Sequence, residues 1–272
     1  MMQTADAPET IPPNTGDALL EVRRISKRFG GLTAVADFSV QLRPHEIIGV
    51  IGPNGAGKTT VFNLLTGVYT IDSGSIMLNG NDLNGLSPDR VTACGIARTF
   101  QNIRLFREMT VLENVKVGFE TRRSASLLGT LLRQPFFRNE EREIETKAME
   151  LLQLLGLETV ADDISRNLPY GQQRKLEIAR ALASSPRVLL LDEPAAGMNE
   201  SESEALRELL TDIRQRFNLS MLVIEHHMPF VMGLVQRLIV LDHGTIIATG
   251  TPKEVRENPA VIEAYLGKEE HA

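Results

Sequence analysis

Residues Gly52-Pro53-Asn54-Gly55-Ala56-Gly57-Lys58-Thr59 satisfy the spacing G-x-x-x-x-G-K-[ST]. Glycines at this spacing let a loop fold back so that several backbone N–H groups converge on phosphate oxygens. A helix that begins at the lysine adds its positive N-terminal end. In such a site Lys58 neutralises charge on the outer phosphates, and the Thr59 hydroxyl is placed to ligate Mg²⁺. Asn54, Gly55, Ala56 and Gly57 would supply loop amides, and Thr60 another from the first helical turn. At ordinary glycine usage, about one chain in a hundred of this length matches by chance. The flanking sequence makes coincidence rarer, because EIIGVIG (Glu46 to Gly52) is the continuous apolar run of a strand buried on both faces.

A phosphate loop also needs a carboxylate at the end of a neighbouring strand to steady the metal and its waters. Asp192, after the apolar run Val188 to Leu191, is placed for that. Glu193 follows it and points elsewhere, as adjacent residues do at a strand end. It can orient an attacking water or accept its proton.

These residues require a particular frame. Strands are expected at Leu19 to Val22, Ala34 to Leu42, Glu46 to Gly52 and Gly74 to Asn79, with a helix from about Lys58 to Thr66. Between residues 85 and 170 the texture changes: Ile144, Ala148, Leu151, Leu152 and Leu155 recur at helical spacing. Apolar strands return at Arg187 to Pro194, Ser220 to His226 and Arg237 to Gly244, followed by a hairpin at Gly244 and a C-terminal helix. The pattern predicts an α/β fold: a P-loop NTPase core with a mainly parallel sheet, a small N-terminal antiparallel β subdomain and an inserted α-helical subdomain. The expected division is a disordered tail at 1–18, an ATPase domain at 19–250 with the helical insertion at about 95–175, and a C-terminal helix and tail at 251–272.

Bulk properties agree. The chain has 272 residues, 42% hydrophobic and 24% charged, which suits a globular protein with a sizeable core. A formal net charge of −6 argues against a nucleic-acid binder. The apolar stretch Leu219 to Leu241 is broken by Glu225, His226, His227, Pro229 and Arg237, so it reads as strand, loop, short helix and strand rather than a membrane span. The N-terminus lacks the basic and apolar regions of a signal peptide, and a cytoplasmic location is expected. The single cysteine, Cys94, reads as a small, partly buried apolar residue. His45, His243 and His271 have no metal-ligand spacing.

The phosphate loop, the helical middle and LLLDEP together resemble the nucleotide-binding subunit of an ABC transporter, over nearly the whole chain from Leu19. The resemblance implies ATP and Mg²⁺ as ligands and further roles by position. Phe29, in KRFGGL, matches the aromatic residue that stacks on adenine. Gln101, in RTFQNIRLF, matches the glutamine that reaches the metal and attacking water and links them to the membrane subunit. His226 matches the histidine that contacts the γ-phosphate, whereas His227 reads as structural or exposed. The family signature Leu-Ser-Gly-Gly-Gln, which grips ATP held by another subunit, is here Leu168-Pro169-Tyr170-Gly171-Gln172. Gly171 and Gln172 persist, but Pro169 brings neither hydroxyl nor N–H and Tyr170 brings bulk. Asn199 replaces the usual aspartate after the turn EPAAGM.

These departures, with FQNIRLFREMTVLENV and the ending GTPKEVRENPAVIEAYLG, resemble the LivG branch of branched-chain amino-acid importers. Urea-import and lipopolysaccharide-export ATPases are near relatives of that branch. The resemblance implies two permease subunits in the membrane, a second ATPase subunit, identical or different, and a substrate-binding protein reached through them. The protein would sit peripherally on the inner face of the membrane. Loss of one well-aimed donor can cost ~2.7–4 kcal/mol at a developing charge, so unequal hydrolysis at the two composite sites is expected. Residues Thr121 to Arg142 mix apolar and arginine residues and read as an amphipathic helix packed on its own subdomain, the alternative being contact with membrane subunits or lipid headgroups.

Overall fold

Val188–Asp192 contains no polar residue before its last position, and every one of its side chains is buried. The same holds for Ile47–Ile51, and Ser220–Ile224 is buried throughout. Strands of this kind require cover on both faces. In the computed structural model, which describes residues 18–120 and 135–266, they form the centre of a six-stranded sheet. Its members are β3 (Ile47–Ile51), β6 (Ile96–Arg98), β7 (Val188–Asp192), β8 (Ser220–Ile224), β9 (Arg237–Asp242) and β10 (Thr245–Gly250), in the order β10-β9-β3-β8-β7-β6. All neighbours pair in parallel except β10, which returns antiparallel along β9.

One face of this sheet is covered by α1 (Lys58–Leu65) and by a four-stranded antiparallel sheet, β2-β1-β4-β5. These strands are β1 (Leu20–Phe29), β2 (Leu32–Leu42), β4 (Ser73–Leu78) and β5 (Asn81–Asp82). Ile25, Phe38 and Phe62 share a core with Val50, Leu190 and Leu222. A backbone bond from Ala36 N–H to the Gly244 carbonyl, 2.8 Å, ties the two sheets together. The antiparallel unit is therefore not wholly N-terminal, since β4 and β5 follow the phosphate-loop helix. β1 also runs well past the expected end at Val22, because it forms a hairpin with β2 as far as Phe29 and Leu32.

The other face carries helices. After α2 (Pro88–Cys94) come α3 (Val111–Glu120), α4 (Pro135–Leu155) and α5 (Tyr170–Ala183), and then α6 (Glu200–Arg216) and α7 (Met228–Leu234) behind the sheet. Ala148, Leu151, Leu152 and Leu155 face the core as the helical spacing required, and Ile144 is partly buried. The start expected for the helical insertion, near residue 95, instead falls on β6, which pairs with β7 in the core sheet. Residues 121–134, most of the segment read as amphipathic, lie outside the described residues, as do 1–17 and 267–272. The stretch from Leu219 to Leu241 folds as β8, loop, α7 and β9, as expected. Among the described residues no helix is long and apolar enough to cross a membrane. α8 (Pro252–Arg256) and α9 (Pro259–Leu266) close the chain. Cys94 is exposed, contrary to the partial burial expected, because it ends α2, a surface helix that buries only Val91.

Helices α3 and α5 meet at very short range. A Cβ placed on Gly118 of α3 would lie 2.3 Å from the Arg180 carbonyl and 2.6 Å from Ala183 Cβ. Gly118→Ala is therefore expected to lower unfolding stability by ~1–3 kcal/mol through overpacking, read from the midpoint of urea denaturation.

Candidate functional site

Parallel pairing puts the carboxyl ends of β3, β8, β7 and β6 along one edge of the sheet, where open α/β sheets bind ligands. The loop 52–57 leaves β3, His226 follows β8, Asp192 ends β7 with Glu193 next, and Gln101 follows β6. Residues far apart in sequence are thereby brought to neighbouring loops.

The loop's glycines answer to close approach. At Gly57, with φ 101°, a Cβ would stand 2.5 Å from the Ala34 carbonyl oxygen; at Gly52 it would stand 2.1 Å from that of Leu241. The loop is thus pressed onto backbone from both sheets, and its open side is at Gly55, where a Cβ would meet nothing within 4 Å. Gly57 serves as the N-cap of α1 without a side-chain cap, and no acidic residue stands in the first turn. The first-turn amides, among them Thr59 and Thr60, have no carbonyl within the helix to bond, and together with Lys58 they form a donor set suited to an anion. Lys58, largely buried, donates from Nζ to the carbonyls of Gly52 at 2.7 Å and Pro53 at 3.0 Å. Tyr265 of α9 also approaches the loop. Burial raises its hydroxyl pKa, and a hydrogen bond with the Gly52 backbone opposes that rise.

Asp192 is buried and held by Arg98, whose Nη2 donates to Oδ2 at 2.6 Å while Nη1 donates to Asn63 Oδ1 on α1 at 2.7 Å. One guanidinium thus links the ends of β6 and β7 to the helix that follows the phosphate loop, and it stands 5.4 Å from the ring centre of Phe62 and 4.8 Å from that of Phe100. Glu193 takes the left-handed conformation, φ 47°, while its N–H still donates to the Ile224 carbonyl. That unusual conformation separates the adjacent Asp192 and Glu193, and strain of this kind is characteristic of functional positions. Glu193 Oε2 accepts from Gln101 Nε2 at 2.7 Å and lies 3.7 Å from His226 Nδ1. Gln101, Glu193 and His226 therefore meet.

Glu225 was legible in the sequence only as a break in an apolar stretch. It is buried, and its Oε1 accepts from Ala195 N–H at 2.8 Å while Oε2 accepts from the N–H groups of His226 and His227 at 3.0 and 3.2 Å. It fixes the turn after Glu193 against the turn bearing His226. An acid immediately after a buried strand was the available signal. Arg98 gave less, since a basic residue at a strand end has many uses.

Other expected residues lie further out. Phe29 ends β1 with 43% of its surface exposed, edge-on to Tyr69 at 5.1 Å between ring centres. Tyr69 itself was not singled out. Gly171 and Gln172 follow Tyr170 in the first turn of α5, whose N-cap is Pro169, so the proline leaves the helix intact. Asn199 caps α6 in a reciprocal capping box with Glu202. His227 is half-buried, its Nδ1 3.5 Å from Ser203 Oγ.

The donors available for a metal are oxygens: the Thr59 hydroxyl, the Asp192 carboxylate and the Gln101 amide carbonyl. Hard oxygen donors supplied by few side chains suit Mg²⁺, which keeps waters and phosphate oxygens as its other ligands. Among the described residues no group of three or more His, Cys, Asp or Glu side chains could hold a metal by itself.

A phosphate loop, a strand-end Asp-Glu pair and a helical unit packed on the same sheet define a P-loop ATPase cassette. Comparison with known families makes the class specific: the ABC transporter family matches residues 35–196, and the chain belongs to it. Residues 245–271 match a second family, described as a branched-chain amino acid ATP-binding cassette transporter. The chain is 48% identical over 250 residues to the high-affinity branched-chain amino acid transport ATP-binding protein LivG of Salmonella typhimurium, covering 92% of this chain and 98% of that protein. It is 44% identical, with the same coverage, to BraF of Pseudomonas aeruginosa, also described as a high-affinity branched-chain amino acid transport ATP-binding protein. Among solved structures it resembles the ADP conformation of an ABC transporter ATP-binding cassette, with a TM-score of 0.80 and 30% identity over 92% of this chain and 99% of that one.

Removing Arg98 would strand a buried carboxylate. Arg98→Met is expected to cost ~3–5 kcal/mol of unfolding free energy, measured by chemical denaturation of the nucleotide-free protein. A loss below ~1 kcal/mol would mean that Asp192 is not sustained by this pair.

Proposed function

We propose that the chain is the ATP-binding and ATP-hydrolysing subunit of an importer of branched-chain amino acids. The observation that carries the ATPase reading is the meeting of Gln101, Glu193 and His226 on the sheet edge that also bears loop 52–57 and Asp192. In this reading the loop amides from Asn54 to Thr60 and the Lys58 ammonium hold the triphosphate. Thr59, Asp192 and Gln101 hold Mg²⁺, which when bound offsets charge building on the phosphate oxygens. Glu193 orients the attacking water and takes its proton, restrained by the Gln101 amide, while His226 stands beside the terminal phosphate. Phe29, with Tyr69 against it, offers an apolar face to the adenine. Gly171 and Gln172, at the positive end of α5, face a nucleotide held by a second ATPase subunit.

The cargo assignment is supported by likeness to LivG and BraF along nearly their whole lengths and by the family match at the C-terminus. With no helix in the described residues able to cross a membrane, solute movement calls for permease subunits. The protein then works at the inner face of the membrane, with a substrate-binding protein delivering solute to the permeases.

MgATP at 100 times its dissociation constant should stabilise the protein by ~2.7 kcal/mol, seen as a rise in Tm, and Lys58→Ala should remove the rise. Glu193→Gln should keep the rise while lowering the rate of phosphate release by about a hundredfold. Turnover at the wild-type rate in that variant would remove Glu193 from the mechanism. For cargo, the chain reconstituted with the permeases that co-purify with it should drive uptake of leucine, isoleucine or valine; uptake of none of them overturns the assignment.

A further inference from the structure

Arg174, in the first turns of α5, is fully buried and forms an ion pair with Glu177, also buried, one turn later. Neither is explained by the roles above. Arg174 Nη1 donates to the Phe100 carbonyl at 2.7 Å and to Glu177 Oε2 at 2.8 Å, and Nη2 donates to the Gln101 carbonyl at 2.9 Å. Glu177 Oε1 accepts from the N–H groups of Phe100 and Arg104, both at 3.2 Å. The pair thus grips the main chain on both sides of Gln101. Burial raises the Glu177 pKa, and the Arg174 charge and these two amides pull it back.

Desolvating two charges is costly, and a buried pair is often replaceable by apolar residues when it serves stability alone. This pair spends its hydrogen bonds on one loop, the one whose side chain reaches Glu193 Oε2 at 2.7 Å. A fourth contact extends outward: Arg174 Nη2 donates to the Tyr170 hydroxyl at 3.2 Å. Tyr170 occupies the signature segment, is 45% exposed, and its ring lies over Gly197, where a Cβ would stand 3.7 Å from Cε1. The bulk that seemed only to spoil the signature therefore has a place, between Arg174 and the turn that follows Glu193. Hydrogen bonds link Tyr170 to Arg174 and Arg174 to the Gln101 main chain, and the Gln101 side chain carries the connection on to Glu193.

We propose that Arg174 is a positioning residue for hydrolysis: through the Gln101 main chain it sets the Gln101 amide against Glu193, and through the Tyr170 hydroxyl it ties that setting to the signature segment. A nucleotide contacting the signature would then bias this chain's own Gln101–Glu193 pair as well. The inference rests on the reading in which Gln101 and Glu193 handle the attacking water.

The test uses the full-length chain in its assembled transporter, with kcat and KM for MgATP measured for Tyr170→Phe and Arg174→Lys. Arg174→Lys keeps the charge but loses the forked donors. Each change is made alone and in a Gln101→Ala background. Expected are a fall in kcat of about threefold for Tyr170→Phe and about tenfold for Arg174→Lys, with KM held within about twofold. Both losses should vanish when Gln101 is already alanine, the non-additivity of residues acting through one another. Equal losses in both backgrounds, a rise in KM matching the fall in kcat, or wild-type kcat in both variants overturns the proposal. Tyr170→Phe alters only a hydroxyl on a half-exposed ring, so it decides the matter if Arg174→Lys does not fold. Failure of the wild-type assembly to hydrolyse MgATP would overturn the ATPase reading, and this proposal with it.

Discussion

Parallel pairing of apolar strands is the constraint on which the site depends. Strands β3, β6, β7 and β8 must be covered on both faces, so their polar ends and connecting loops are driven to the sheet's edges. Because all four run the same way, their carboxyl ends share one edge, and every residue proposed for hydrolysis is within a few positions of such an end. No loop could be moved to the other edge without reversing a strand in the centre of the core. The approach of Gly52 and Gly57 to the carbonyls of Leu241 and Ala34 then locks the phosphate loop between the two sheets. A methyl group at either position would push against backbone rather than against a side chain able to turn away.

Charged groups bought into this interior are held by main chain or by one another. Asp192 is paired with Arg98, Glu225 accepts three backbone N–H groups, and the Arg174–Glu177 pair binds the backbone around Gln101. Each of these groups joins parts of the chain that are far apart in sequence. Arg98 joins β6 and β7 to α1, Glu225 joins the turns after β7 and β8, and Arg174 joins the helical unit to the segment after β6. Buried polar networks restrict the geometries a core can adopt. Here they do so around Gln101, Glu193 and His226, the side chains proposed to handle the attacking water.

Among the described residues, the helical unit touches the site through Arg174 and Glu177, while α3, α4 and α5 pack extensively on one another. Such an arrangement permits a rigid unit to report on one loop. The altered signature fits the same pattern: Pro169 starts α5 without cost to the helix, and Tyr170 finds partners within its own chain. Asn199, which departs from the family's usual aspartate, caps α6 with Glu202, a role met equally well by either residue type.

Much of this was written in the residues themselves. The glycine spacing around Lys58, the apolar run ending in Asp192 and Glu193, and the helical period from Ala148 to Leu155 each reflect a local requirement: amides that converge, a strand buried on both faces, one apolar face of a helix. Local requirements leave local patterns, and so the parallel core, the loop and the strand-end acids were legible. The order β10-β9-β3-β8-β7-β6 was not, nor were the long reach of β1, the place of β6 in the core sheet or the exposure of Cys94. Arg98, Glu225, Tyr69 and Arg174 belong to residue types found anywhere in a chain, and each has a partner tens of positions away: Asp192 for Arg98, Ala195 for Glu225, Phe29 for Tyr69, and the Phe100 and Gln101 carbonyls for Arg174. Only the packing of sheet against helix brings such groups within hydrogen-bonding distance, because burial, not sequence neighbourhood, forces a charge to find its partner.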